Sequence, residues 1–230
     1  MNKIYRKYAY PVALFLAVAA GTASAQSQSV AGPQGLVSQT ETEDLVFMRE
    51  EEKMARDSYL LLAEQWGLAV FSNIAKSEQK HMDALEVLID GFGIADPVVD
   101  ESDVGTFANL DLQDLFDELM AAGSQSAMDG LKVGGAIEET DILDIEEAID
   151  RAENEDIIAT YENLLCGSRN HLRAFVGQIE LLGEIYTPIL LSEGELNAIV
   201  DFPMERGCGN GQQRKGKPGK GNKGAQGGSA

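Results

Sequence analysis

Four stretches of this chain carry apolar side chains at steps of three and four, and each stripe is broken by an acid, a histidine or a serine. Such steps put residues on one face of an α-helix, so the chain must bury four helical faces against one another. The first stripe reads Leu45, Met48, Glu52, Ala55, Tyr59, Leu62 and Trp66, opened by a Thr40-x-x-Glu43 capping box and stopped at Gly67. The second, over 70–90, reads Ile74, Glu78, His81, Leu85 and Leu88, with Gly91 and Gly93 closing it. The third, expected from an N-cap at Ser124 to about Ala152, reads Leu131, Gly134, Glu138, Ile142, Ile145 and Ile149. The fourth, over 155–183, reads Ile157, Tyr161, Leu164, Ser168, His171, Phe175 and Ile179. Shorter helices are expected over 110–122 and after Ser192-x-x-Glu195, ending near Phe202. Strand signals are scarce. The pattern predicts an all-α four-helix bundle with a long crossover between its second and third long helices. Periodicity alone also permits a plain antiparallel bundle.

The two ends lie outside that pattern. Lys3, Arg6 and Lys7 precede an apolar run over 9–20 and the small residues Ala23-Ser24-Ala25, which reads as a signal peptide cleaved after Ala25. The run is shorter than the roughly 20 residues that span a bilayer, and no later stretch is long and apolar enough. The expected mature protein is secreted or periplasmic. From Arg206 the chain is built mainly of Gly, Lys, Gln and Asn, too poor in apolar surface to offset its ordering entropy, so a flexible tail is expected over 206–230. Residues 26–39 are read as a flexible lead and 40–205 as one helical domain.

The chain's net charge of -20 is concentrated in that domain, because the leader carries three positive charges and the tail six. So acidic a surface excludes nucleic-acid binding through phosphate contacts. It suits cations, and its basic tail suits an anionic surface. Cys166 and Cys208 can pair in an oxidising compartment, which would pin the root of the tail to the body. No Cys-x-x-Cys spacing exists for thiolate metal clusters.

A carboxylate on an apolar stripe is costly unless it is paired or binds a metal. Glu52, Glu78 and Glu138 lie on three different stripes, and both histidines of the chain, His81 and His171, lie on stripes. Glu78 and His81 are three apart, so one helix can offer an oxygen and an imidazole nitrogen to the same cluster. Glu50 and Glu51 are read as solvated.

The segment Glu52-Lys-Met-Ala55-Arg56-Asp-Ser-Tyr59 resembles the E-x-x-A-R-x-x-Y stretch of rubrerythrin-type proteins of the ferritin-like superfamily, and FSNIAKSEQKHMDALEVL resembles the second ferritin-like helix. FMREEEKMARDSY, AIEETDILDI, GSRNHLRAF and YTPILLS extend the resemblance to an exported, uncharacterised branch of that superfamily. The resemblance implies a ferritin-like bundle, metal ligands at Glu52, Glu78, His81, Glu138 and His171, and one or two iron ions, with manganese or another divalent metal as alternatives. It implies small oxidants as reactants and allows a homo-oligomer.

One departure stands out. A second Glu-x-x-His is expected on the fourth helix, but Ser168 stands three before His171, and Glu162 lies on the opposite face. Asp141 or Glu139 is the candidate for the missing anionic ligand. Tyr59, Tyr161 and Ser168 are candidates for the surrounding hydrogen bonds. The resulting expectations are a di-iron oxidase or peroxidase, a non-catalytic metal carrier, or a structural protein of the envelope.

Overall fold

The computed structural model describes residues 35–208, so the expected signal peptide and the tail beyond Cys208 lie outside the described residues. Among the described residues there are six helices and no strand: α1 (Gln39–Trp66), α2 (Ala69–Phe92), α3 (Leu110–Gly123), α4 (Ala127–Arg151), α5 (Glu155–Leu181) and α6 (Glu193–Val200). None is long and apolar enough to cross a membrane.

The four long helices pack side by side as a helical bundle, α1 against α2 and α4, and α5 against α2 and α4. Every adjacent pair runs antiparallel. Glu52 meets His81 and Arg56 meets Gln79 across α1 and α2. Across α1 and α4, Asp44 meets Arg151 and Tyr59 meets Glu138. The diagonal pair α2 and α4 is therefore parallel, which requires the long connection over 93–126 that carries α3. The core lies between the four stripes and includes Leu45, Leu62, Phe71, Leu85, Leu131, Ile145, Leu164 and Phe175, each at most 1 % exposed. Phe175 lies so close over Gly134 that a Cβ there would come within 2.5 Å of its ring. A side chain at 134 would therefore force α4 and α5 apart.

Helix starts differ from the sequence expectation for identifiable reasons. The capping box of α1 is Ser38-x-x-Glu41, not Thr40-x-x-Glu43. Glu41 accepts from Ser38 N at 2.8 Å, and its other oxygen accepts from Glu153 N and Asn154 N at the α4–α5 turn. Burial opposes ionisation of Glu41, but these donors outweigh it and lower its pKa to about 2. Glu43 instead accepts from Gln39. The N-cap of α4 is Ser126, whose hydroxyl accepts from Asp129 N at 3.0 Å, while Ser124 closes α3. The Ser192-x-x-Glu195 box forms as read.

The crossover folds over the outer face of α1 and buries Glu50, while Glu51 is buried on the α4 side beside Asp144 and Asp141, so neither is solvated. Glu50 accepts from Ala108 N and Asn109 N at the start of α3. Arg49, 1 % exposed, donates to Asp96 and Glu101, and Lys53 donates to Asp57 and to the carbonyls of Asp103 and Thr106. At the other end Cys166 and Cys208 form a disulfide, and Glu205 pairs with Arg169 and Arg173. The disulfide thereby ties Cys208 to α5.

Candidate metal centre

The polar interruptions of the four stripes meet at one level of the bundle. Glu78 of α2 lies at the centre: its Oε2 is 2.8 Å from His81 Nδ1 and its Oε1 2.8 Å from His171 Nδ1. Glu52 Oε2 of α1 is 3.2 Å from His81 Nδ1, and Glu138 Oε2 of α4 is 3.4 Å from His171 Nδ1. The imidazole rings stand 5.5 Å apart and nearly parallel. Glu52, Glu78 and Glu138 are each 1 % exposed, His81 8 % and His171 7 %. The five residues named from the sequence are thus together, in two halves that share Glu78.

Short contacts do not make this a closed hydrogen-bond network. Both oxygens of Glu78, Glu52 Oε1, Asp141 Oδ1 and His171 Nδ1 are buried with no hydrogen-bond partner. Polar atoms left so are costly in a protein interior. Ligand atoms about 2.1 Å from a shared cation lie about 3 Å from one another in an octahedron, the spacing found here. Glu78, His81 and His171 form a group that can hold a metal ion.

Electrostatics point the same way. Burial alone would strip the proton from each imidazole. Glu52 and Glu78 outweigh it and hold the His81 pKa well above its ordinary value, while Glu78 and Glu138 bring His171 to about 10. Burial also works against the Glu78 carboxylate, but His171 and His81 hold its pKa far below the usual range. Glu138 has less help: burial pushes it to about 7 despite His171. The carboxylates thus hold protons on both imidazoles, and a metal bound there would displace them.

Around this centre, Tyr59 OH donates to Glu138 Oε1 at 2.5 Å. Burial and then Glu138 push the Tyr59 phenol well above its usual pKa, so it remains a donor. Ser168 donates to Asp141 Oδ2, which brings the carboxylate of Asp141 to the place where α5 lacks one. Burial and the nearby Glu52, Glu138 and Glu78 raise the Asp141 pKa well above normal. His81 Nε2 points at the backbone of Gly167, where a Cβ would lie only 2.5 Å away.

Two candidates are elsewhere. Glu139 accepts from Tyr186 OH at 2.6 Å and from the backbone N–H groups of Ile189, Leu190 and Leu191, so it anchors the segment after α5. It points away because it is one residue, about 100°, round the helix from Glu138. Tyr161 is fully buried and its electrostatic neighbours are Asp44, Arg151, Glu41 and Glu51, toward the α4–α5 turn. Two residues were missed. Glu51 and Asp144 meet carboxyl to carboxyl beside Asp141. Burial leads in raising both, Glu51 well above normal and Asp144 to about 6. The signal for Asp144 was spacing: acids recur every third residue at Glu138, Asp141, Asp144 and Glu147.

The chain is thus a helical bundle whose core holds a carboxylate and imidazole cluster able to accept a metal ion. It belongs to the family described as "Uncharacterized protein domain (DUF2202)", whose pattern matches residues 41–203. It is 47 % identical over 175 residues to the uncharacterized protein MJ0754 of Methanocaldococcus jannaschii, covering 76 % of this chain and 94 % of that one. The crystal structure of MJ0754 matches with a TM-score of 0.73 at 46 % identity, covering 75 % of this chain and 98 % of the solved one.

Proposed function

We propose that this is an exported ferritin-like protein whose core cluster binds two divalent cations, iron foremost, and uses them in redox chemistry with oxygen or a peroxide. The observation that carries the reading is the Glu78 carboxylate, buried between two imidazole Nδ1 atoms with neither oxygen in a hydrogen bond. Glu52 with His81, and Glu138 with His171, would each complete one half, with Glu78 shared. Asp141, held by Ser168, would supply the fourth negative charge, balancing two divalent cations. Bound iron would supply one-electron exchange with the oxidant. Tyr59 fixes the orientation of Glu138, as hydrogen bonds behind metal ligands do. The burial of all four carboxylates limits access of bulk water.

Two antiparallel hairpins joined by a long crossover support the ferritin-like reading. The Cys166–Cys208 pair supports an oxidising compartment and so agrees with the signal read in the sequence.

The test is anaerobic loading of the chelator-treated mature protein with ferrous iron, followed by oxygen or hydrogen peroxide. Two irons bound per chain and oxidised with turnover are expected. Two irons bound without oxidation would reduce the protein to a metal carrier. Replacing both Glu78 and His81 by Ala should abolish binding, and Asp141→Asn should lower the stoichiometry toward one. Absence of binding in the unsubstituted protein would refute the proposal.

A further inference from the structure

Four acids of α4, Glu138, Asp141, Asp144 and Glu147, recur at every third position. Three residues advance a helix by about 4.5 Å and turn it about 60° short of a full turn. The row therefore climbs some 14 Å while swinging from the core toward the surface. Burial follows that geometry. Glu138 and Asp141 are 1 % and 4 % exposed, Asp144 is half-buried, and the Glu147 side chain is 61 % exposed. Glu51 of α1 completes the row from the facing helix, meeting Asp144 and lying next to Asp141.

Charge accumulation alone would not make this row a site. Glu51, however, is 2 % exposed, its Oε2 has no hydrogen-bond partner, and its electrostatic neighbours Asp144 and Asp141 place it on the α4 side. Asp141 Oδ1 is likewise buried without a partner. Glu50, the preceding residue, has its carboxylate occupied by backbone N–H groups, so burial of α1 does not by itself leave an acid without donors. At the outer end Arg151 spans Asp44 and Glu147, at 2.9 and 2.7 Å.

We propose that Glu147, Asp144, Glu51 and Asp141 form a conduit that conducts divalent cations from the acidic surface to the metal centre, with Glu51 and Asp144 as its transit site. The inference rests on the metal-binding reading above. A hydrated divalent cation exchanges waters for carboxylate oxygens one at a time, and steps of about 4.5 Å let it gain the next oxygen before releasing the last. Two carboxylates at the transit site hold an ion less firmly than the four carboxylates and two imidazoles of the proposed centre, so the ion moves inward.

The experiment is stopped-flow loading of the chelator-treated mature protein with cobalt(II), read by its visible absorption, paired with an equilibrium titration. Glu51→Gln and Asp144→Asn keep side-chain size and remove one charge each. Both are expected to load at least tenfold more slowly than the unsubstituted protein, with its stoichiometry and its affinity to within threefold. Glu118→Gln, at an exposed acid of α3, should load at the unsubstituted rate. Asp144 is half-buried, so D144N keeps the test available if E51Q fails to fold. Unchanged loading rates in folded E51Q and D144N would overturn the conduit. So would equal slowing in E118Q, which would mean general attraction, or loss of stoichiometry in E51Q and D144N, which would make them ligands. An unsubstituted protein that takes no cobalt would overturn the metal-binding reading itself, and the conduit with it.

Discussion

Gly167 is where a single methyl group should undo the metal centre while leaving the bundle standing. A Cβ at this position lies 2.5 Å from His81 Nε2 and 2.7 Å from its Cε1, whereas ordinary contact begins near 3.4 Å. The ring must withdraw by about 0.9 Å, the difference between those distances. Met82, Leu85 and Ala75, each at most 3 % exposed, fix α2 around it, so the backbone cannot follow. A metal–imidazole bond near 2.1 Å tolerates about 0.2 Å, so His81 would leave the set of ligands. Gly167→Ala should therefore weaken metal affinity by about 10- to 100-fold, the usual cost of disturbing a residue behind a ligand. Gly177 provides the matched control, since it lies in the same helix with nothing within 4 Å of its Cβ position. Gly177→Ala should keep full affinity and gain about 1 kcal/mol from helix propensity. Calorimetric titration with manganese(II), alongside thermal melts, reads both quantities. Unchanged affinity in Gly167→Ala would refute the argument that this glycine exists to seat His81.

Three further outcomes follow from the structure. Cys208→Ser opens a loop with a sequence separation of 42, and chain entropy puts its cost at up to about 4 kcal/mol, measurable by urea unfolding with and without reductant. Glu139→Gln should destabilise by about 1.5–3 kcal/mol, because a charged acceptor of four donors is lost, yet bind metal as before; weakened binding would return Glu139 to the ligands. The third is pH dependence in the chelator-treated protein. His171 is raised from 6.5 to about 10, so its contribution is complete below pH 6.5 and is lost as pH rises through 10. Glu138 and Asp144 are raised to about 7 and 6, so stability also falls as the unfolded chain ionises first above pH 4.5 and 3.8. Glu78, lowered below 4.5, contributes above that pH and loses its contribution in acid. The melting temperature should therefore peak near pH 5 and fall toward pH 10, each extra bound proton contributing about 1.4 kcal/mol per pH unit. Saturating divalent cation should flatten that fall, and scanning calorimetry between pH 5 and 9 would show it.

What the sequence disclosed was whatever has a helical period. The stripes named the long helices, and the polar residues standing in them named Glu52, Glu78, His81, Glu138 and His171, because an inward carboxylate violates the pattern that surrounds it. Glu50 and Glu51 were misread for the converse reason. Burial of Glu50 depends on the path of the crossover, whose segment before α3 has no period to read, and burial of Glu51 on the packing of α1 against α4. Gly167 was silent because the absence of a side chain leaves no mark on a stripe, and its meaning appears only once α2 lies against it. The capping box moved from Thr40 to Ser38 because Glu41 is also needed at the α4–α5 turn, 112 residues away along the chain.

Ser168 first looked like a ligand lost from the fourth helix. Its hydroxyl instead meets Asp141, so a carboxylate from α4 stands beside the position where a glutamate on α5 was expected. Under the two-cation proposal Asp141 would bring the negative charges to four, which is what two divalent cations require if no net charge is to remain in the core. The exchange still has a directional consequence. A glutamate at position 168 would belong to α5, whereas Asp141 belongs to the row of acids that runs outward along α4. Ser168 holds Asp141 by its hydrogen bond, and under the two proposals above that contact would join the metal centre to Glu51 and Asp144 and give a buried site a charged path to the surface.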